Sequence, residues 1–249
     1  MIAHTPMNTA KENIIAQLKR DILPLQGFKS SLNSGALDVL PGAIKNAFPN
    51  AVFPLGAVHE FITACAEDAA ATFGFISGIL ALIMRSAGTS IWISGSPCIF
   101  PPALQSFGVK PDKIIFIHLK KEKEILWAME EALKFKGLSA VIGEVQDLSF
   151  TASRRLQLAI EQSQVTGFVV RRNPHSLNTS ACLARWKITC LPGSLPFDMP
   201  GVGFPRWNVE LLKVRNGRPG SWQVEFAAGR LRHIPKIAAI HQQKQKKTG

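Results

Sequence analysis

The sequence predicts an α/β domain, a three-layer fold with a mainly parallel central sheet and an antiparallel C-terminal extension. Three observations predict it. Short apolar runs alternate with helix-period segments between residues 56 and 172, the pattern of parallel strands buried on both faces. Three further strand-like runs follow between 182 and 227, and no helix separates the last two. A chain of 249 residues, 46% hydrophobic and 18% charged, is long and apolar enough for one substantial core.

The elements follow in order. Thr9 to Leu25 begins as an amphipathic helix, with Ile14, Ile15, Leu18 and Ile22 on one face and Lys11, Lys19 and Arg20 elsewhere. Pro24 and Gly27 end it, and it serves either as an interaction arm or as a packing helix. Residues 1–30 are read as this arm. Ser34 to Pro54 is rich in Gly, Pro and Asn, so it is mostly loop, with one short helix near Ala43–Phe48. The core then alternates: strand 56–62 and helix 69–86; strand 89–95 and a short helix at 101–107; strand 113–119 and helix 122–135. Strand 139–145, helix 151–164 and strand 166–172 complete the series. Ser149 or Thr151 caps the helix at 151. Runs at 182–190, 207–215 and 221–227 extend the sheet, the last two joined by the turn Asn216-Gly217-Arg218-Pro219-Gly220. The core domain spans 31–235. A basic tail, 236–249, carries Lys244, Lys246 and Lys247 among Gln residues and is expected to be disordered.

A net charge of +12 points to an acidic partner, DNA or an acidic protein face, although a solubilising surface gives the same number. The 4 cysteines, Cys65, Cys98, Cys182 and Cys190, form no C-x-x-C pair and no zinc spacing, so reduced thiols in the cytoplasm are expected. The start lacks a basic-then-apolar run, so no signal peptide is expected. The apolar run Ala69–Met84 falls short of the ~20 residues that span a bilayer, so it reads as a core helix and no membrane contact is expected.

The stretch organising the chain is Leu55–Met84. Strand, loop and helix here have the layout of a phosphate-binding loop, in which Gly-rich amides and a Lys cradle phosphates. The loop Thr63, Ala64, Cys65, Ala66, Glu67, Asp68, Ala69 has no Gly and no Lys, and it sets two acids at the helix N-terminus. Carboxylates suit that dipole and repel phosphate. Neither nucleotide, metal nor other cofactor is expected.

On Leu55-Gly56-Ala57-Val58-His59-Glu60 and the order of elements, the chain resembles the RecA-type ATPase core. The resemblance implies a loop Lys, a Glu after the next strand and an Asp ending a later one. Ala69, Ser96 and Gly143 stand at those places, which argues against hydrolysis because charge and positioning supply nearly all of phosphoryl-transfer catalysis. Glu144, one place late, is a poor metal-ligand candidate. Within that superfamily, Pro54–Phe61, the run 126–133, the run 151–159 and Arg206–Glu225 are similar to the ImuA family of RecA-like accessory proteins. That resemblance implies SOS-induced, error-prone translesion synthesis. The implied partners are RecA, an inactive Y-family polymerase homologue and, indirectly, an error-prone replicative-type polymerase.

Lys213 and Arg215, two apart on a strand, resemble the pair with which ring and filament members of the superfamily reach a neighbour's phosphate. With Arg218 they form the candidate partner interface, although a basic hairpin explains them too. Arg171 and Arg172 end a strand before the loop Asn173–Thr179, and with Lys244, Lys246 and Lys247 they are the candidate contacts for weak, nonspecific DNA binding. Solvated strand-end charge is the plainer account of the two arginines. Trp127, Met129, Trp186, Trp207 and Trp222 are expected in the core, as is His59. The expected function is a non-catalytic adaptor in DNA repair. The alternatives are a DNA-dependent ATPase with an atypical site and a SulA-like cell-division inhibitor.

Overall fold

The computed structural model describes residues 39–86, 88–97, 99–194, 201 and 203–235, together with helical positions 11, 13–15, 17 and 18. The chain divides into two compact units, residues 1–36 and 37–249. In the first, Ile14, Ile15 and Leu18 are exposed. The tail with Lys244, Lys246 and Lys247 lies outside the described residues, as do Cys98, Lys19, Arg20 and Ile22.

Among the described residues the second unit is built on nine strands in the order β3-β2-β4-β5-β1-β6-β7-β8-β9. The first five run parallel to one another: β1 (Val58–Thr63), β2 (Thr89–Ser94), β3 (Ile114–His118), β4 (Leu138–Val145) and β5 (Thr166–Arg172). β6 (Ala184–Ser194) joins β1 in parallel, and β7 (Phe204–Val214), β8 (Gly220–Ala227) and β9 (Arg230–Ile234) continue antiparallel. The helices are α1 (Gly42–Lys45), α2 (Ala66–Ile83), α3 (Glu122–Lys134) and α4 (Phe150–Ser163). The segment Pro101–Phe107 is a 3-10 helix.

Two cores fill the faces of the sheet. Under α3 and α4, Val58, Ile93, Val141 and Val169 meet Ile125, Met129, Leu133, Leu156 and Ile160. The opposite face is aromatic: Phe61, Phe75, Phe168 and Trp186 are fully buried, and Phe107 and Trp207 stack nearby. There α2 lies close on the sheet because residue 74 is glycine. A Cβ at Gly74 would come within 2.8 Å of Trp207, and the side chain that made it would disrupt the close packing on which such interiors rest. α2 has the length and hydropathy to cross a membrane, and it is instead a core helix, with most of it inside the domain.

β1 is buried at every position, so its polar residues need partners on the spot. His59 is fully buried and stacks on Phe53 at 4.6 Å. Its Nε2 bonds the Pro54 carbonyl at 2.8 Å, and Nδ1 accepts from Trp186 at 3.4 Å. Burial holds it neutral, with its pKa lowered to about 4. Ser149 caps α4, its Oγ accepting from the Ala152 amide at 3.1 Å.

Three expectations change. α2 starts at Ala66 rather than 69, because Glu67 and Asp68 suit the first turn of a helix. β9 has no counterpart in the sequence reading, since Arg230, Arg232 and His233 leave too few apolar positions to signal a strand. Trp127 was expected in the core and is 61% exposed, because helical periodicity turns Ile125, Met129 and Leu133 inward. Trp186 and Trp207 are core residues as expected, and Trp222 is half-buried.

Candidate functional site

The C-terminal edge of the parallel strands holds a cleft of about 480 Å³, lined by Thr63, Cys65, Ser96, Lys120, Glu144 and Arg172 among others. This is where open α/β sheets bind ligands. Its chemistry is set by the start of α2. Ala64, Cys65, Ala66 and Glu67 are exposed, while Asp68 and Ala69 are buried. Its own amide and the Cys65 side chain hold the Glu67 carboxyl below its ordinary pKa. The nearby Asp68 amide favours the Cys65 thiolate, but Glu67, desolvation and the charges of the two carboxylates together raise the thiol above its usual value. No side chain caps the helix, and the exposed Glu67 sets a negative charge where a phosphate would meet helix N-terminal amides.

The other two positions are equally altered. Ser96 is exposed, its carbonyl accepting from Ser94 Oγ at 2.9 Å. Gly143 faces Met129, and a Cβ there would come within 2.6 Å of the Met129 sulfur, so the space an Asp would use is filled. Glu144 is buried, with one oxygen accepting from Trp92 Nε1 at 2.8 Å and the other 3.6 Å from Arg172. Its partners are structural. Among the described residues no cluster of His, Cys, Asp and Glu could hold a metal ion. Cys65, Cys182 and Cys190 are free thiols.

Beside the cleft lies a buried charge network that the sequence reading missed. Glu60, wholly buried in β1, accepts from Arg171 Nη1 at 3.0 Å, from Arg185 Nε at 2.9 Å and from Ser180 Oγ at 2.6 Å. Arg171 is fully buried, and this corrects the expectation of a solvated, DNA-facing side chain. Its guanidinium also donates to Asp147 at 3.2 Å, to the Gln146 carbonyl at 3.3 Å and to the Ser176 carbonyl at 2.7 Å. Asp147 in turn bonds His175 Nδ1 at 2.6 Å, which is the main reason its carboxyl lies below the ordinary range. A glutamate in the middle of a strand with no other formal charge was the signal available, since a buried charge demands a partner.

The loop between β5 and β6 is held by four cations, each donating to its backbone: Arg171 to Ser176, Arg185 to Asn178 at 2.5 Å, Lys213 to Ser180 at 3.0 Å and Arg215 to Ala181 at 3.1 Å. The sequence reading had Lys213 and Arg215 pointing away toward a neighbour. Both turn back on their own chain, with Lys213 exposed and Arg215 half-buried. Arg218 sits exposed at the hairpin turn, its backbone N–H bonding the Ala47 carbonyl at 2.8 Å. Arg172 is 41% exposed over Glu144. Arg155 pairs with Glu130 at 2.7 Å.

No family model matches the chain. It is 35% identical over 192 residues to Protein ImuA of two strains of Caulobacter vibrioides, covering 72% of this chain and 79% of those proteins. It is 30% identical over 114 residues to the cell division inhibitor SulA of Photorhabdus laumondii, covering 44% of this chain and 64% of that one. Among solved structures it is similar to the RadB recombinase, with a TM-score of 0.52 at 12% identity, over 82% of this chain and 99% of that one. The last likeness speaks to the fold alone, a RecA-like three-layer domain.

Proposed function

The chain belongs to the ImuA family, and from that premise we propose that it is a non-catalytic accessory protein of SOS-induced, error-prone DNA repair. It acts by binding partners in a translesion assembly and turns over no nucleotide. The observation that carries this reading is the start of α2, where Ala69 stands in place of the phosphate-binding Lys and the first turn carries Glu67 and Asp68. A triphosphate would meet the exposed Glu67 carboxylate there.

The partners proposed are RecA and an inactive Y-family polymerase homologue, with an error-prone replicative-type polymerase recruited indirectly, in the cytoplasm. The partner-facing surface is the pinned loop 173–181 with Lys213, Arg215 and Arg218 around it. DNA contact, where it occurs, is weak and nonspecific and falls to Arg172 and the tail lysines Lys244, Lys246 and Lys247. Arg171 has no part in it, because its charge is buried against Glu60.

Pull-down of the purified chain against each partner, with and without DNA, tests the proposal. Retention of RecA or of the inactive polymerase homologue is the expected result. Turnover of ATP above background, or a clear rise in melting temperature with millimolar magnesium-ATP, would return the protein to the ATPase class, since only a ligand of the native state stabilises it. The similarity to SulA favours a second reading, inhibition of cell division. Retention of the division protein, with none of the repair partners held, would establish that reading instead.

A further inference from the structure

The loop 173–181 holds one apolar side chain out in solvent and fixes the backbone on both sides of it. Asn173 is tied through both its backbone groups, its N–H to the Thr63 carbonyl and its carbonyl to Gln146 Nε2 at 3.3 Å. Arg171 holds the Ser176 carbonyl and Arg185 the Asn178 carbonyl. Further on, Ser180 Oγ donates to Glu60, and the Ala181 N–H donates to Ser153 Oγ at 2.9 Å. Between the held carbonyls of Ser176 and Asn178 stands Leu177, 56% exposed. The two guanidiniums that flank it are themselves fixed, because both are buried and paired with Glu60.

A lone exposed leucine is ordinary on a protein surface. On a slack loop it would fold back against apolar neighbours, but here the held backbone keeps it presented. Docking a residue already fixed in place orders little more of the chain, which is how preorganised surfaces gain affinity. The surroundings favour a protein over a nucleic acid. Residues 173–181 include no Lys or Arg, and the charges of Arg171 and Arg185 beneath them face Glu60 and Asp147. Phosphate contacts, which dominate nucleic-acid affinity, therefore find little at Leu177 itself. At the base of the loop Lys213 is exposed and donates to the Ser180 carbonyl, so a carboxylate fits there better than a second cation. We infer that Leu177 is the anchor of this loop, and that its partner is a protein with an apolar socket bordered by carboxylates.

The inference deepens the reading of this loop as the partner-facing surface and rests on it. The test uses the full chain, immobilised, with purified RecA and the inactive polymerase homologue as the protein probes and a fluorescein-labelled single-stranded oligonucleotide as the DNA probe. Leu177→Ser and Leu177→Met alter only an exposed side chain, and an unchanged melting temperature checks that both variants fold. For whichever protein the unmodified chain retains, Leu177→Ser should weaken binding roughly ten-fold or more, the loss expected when a buried apolar anchor is removed. Leu177→Met, which keeps an apolar side chain of similar volume, should bind nearly as the unmodified chain does. Oligonucleotide affinity should be the same for all three chains. Full retention of the protein partner by folded Leu177→Ser would overturn the inference and leave the adaptor reading standing. A fall in oligonucleotide affinity with protein retention unchanged would make the loop a DNA contact and overturn it too. Retention of neither protein by the unmodified chain would overturn the adaptor reading and the inference together.

Discussion

Two loops leave the same edge of the sheet from neighbouring strands, and they differ in where their charges go. The loop after β1 leads into α2, where a nucleotide-binding protein would present bare amides and a lysine. The loop after β5 runs from Asn173 to Ala181. The two are joined: Thr63 Oγ1 donates to the Arg171 carbonyl at 3.1 Å, and the Asn173 amide to the Thr63 carbonyl at 2.7 Å. In the first, two acids stand in the first turn of the helix and no side chain caps it. In the second, two arginines from the core and two cations from the end of β7 occupy successive carbonyls. The charges of the first loop stay at the helix start, while those of the second turn inward on the loop's own carbonyls.

The comparison breaks first at Glu60. Glu60→Ala leaves Arg171 buried without its main counter-charge and should cost about 3–5 kcal/mol, read by urea denaturation. A loss below 1 kcal/mol would mean that the network is incidental to the fold. The opposite face of β1 gives the next effect. His59 is neutral and buried, with a pKa of about 4 in the folded chain against 6.5 in the unfolded one. The unfolded chain therefore binds more protons between those values, so stability present above pH 6.5 falls as the pH drops toward 4. The expected loss attributable to this residue is roughly 3 kcal/mol. Denaturation at pH 7 and pH 4.5 in parallel with His59→Gln checks it, since the variant should lose most of the slope.

Loop pinning should give a smaller effect. Lys213→Ala and Arg215→Ala each remove a charged donor to a carbonyl at a partly exposed site, and each should cost about 1 kcal/mol. Hydrogen exchange at 176–181 should quicken while exchange in β5 stays unchanged. Protection at 176–181 that survives both substitutions would mean that the loop is ordered by something other than its cations. The smallest effect belongs to the loop after β1. Glu67→Ala touches an exposed side chain and should change stability by less than about 0.5 kcal/mol. It should also leave the melting temperature insensitive to magnesium-ATP, because removing one acid restores neither the lysine nor the magnesium ligand. A rise of several degrees with nucleotide in this variant would show that charge alone had closed the site.

The sequence by itself determined the fold class and nearly every strand. β5 falls at 166–172 as expected, and β1, β2, β3 and β4 lie within two residues of the expected bounds. Apolar periodicity is a local property of the chain and survives folding unchanged. It also determined that the loop after β1 is poor in phosphate chemistry, since that rests on which residues are present. The tertiary structure decided where the charges point. Glu60 and Arg171 are 111 residues apart, and Lys213 and Ser180 are 33 apart, so neither pairing leaves a local trace. A doubled arginine at a strand end reads as solvated, yet alternation along the strand sends Arg171 inward and Arg172 outward. Trp127 was misjudged for a related reason: composition says that tryptophan prefers the interior, but only the packing of α3 on the sheet selects the side that goes in.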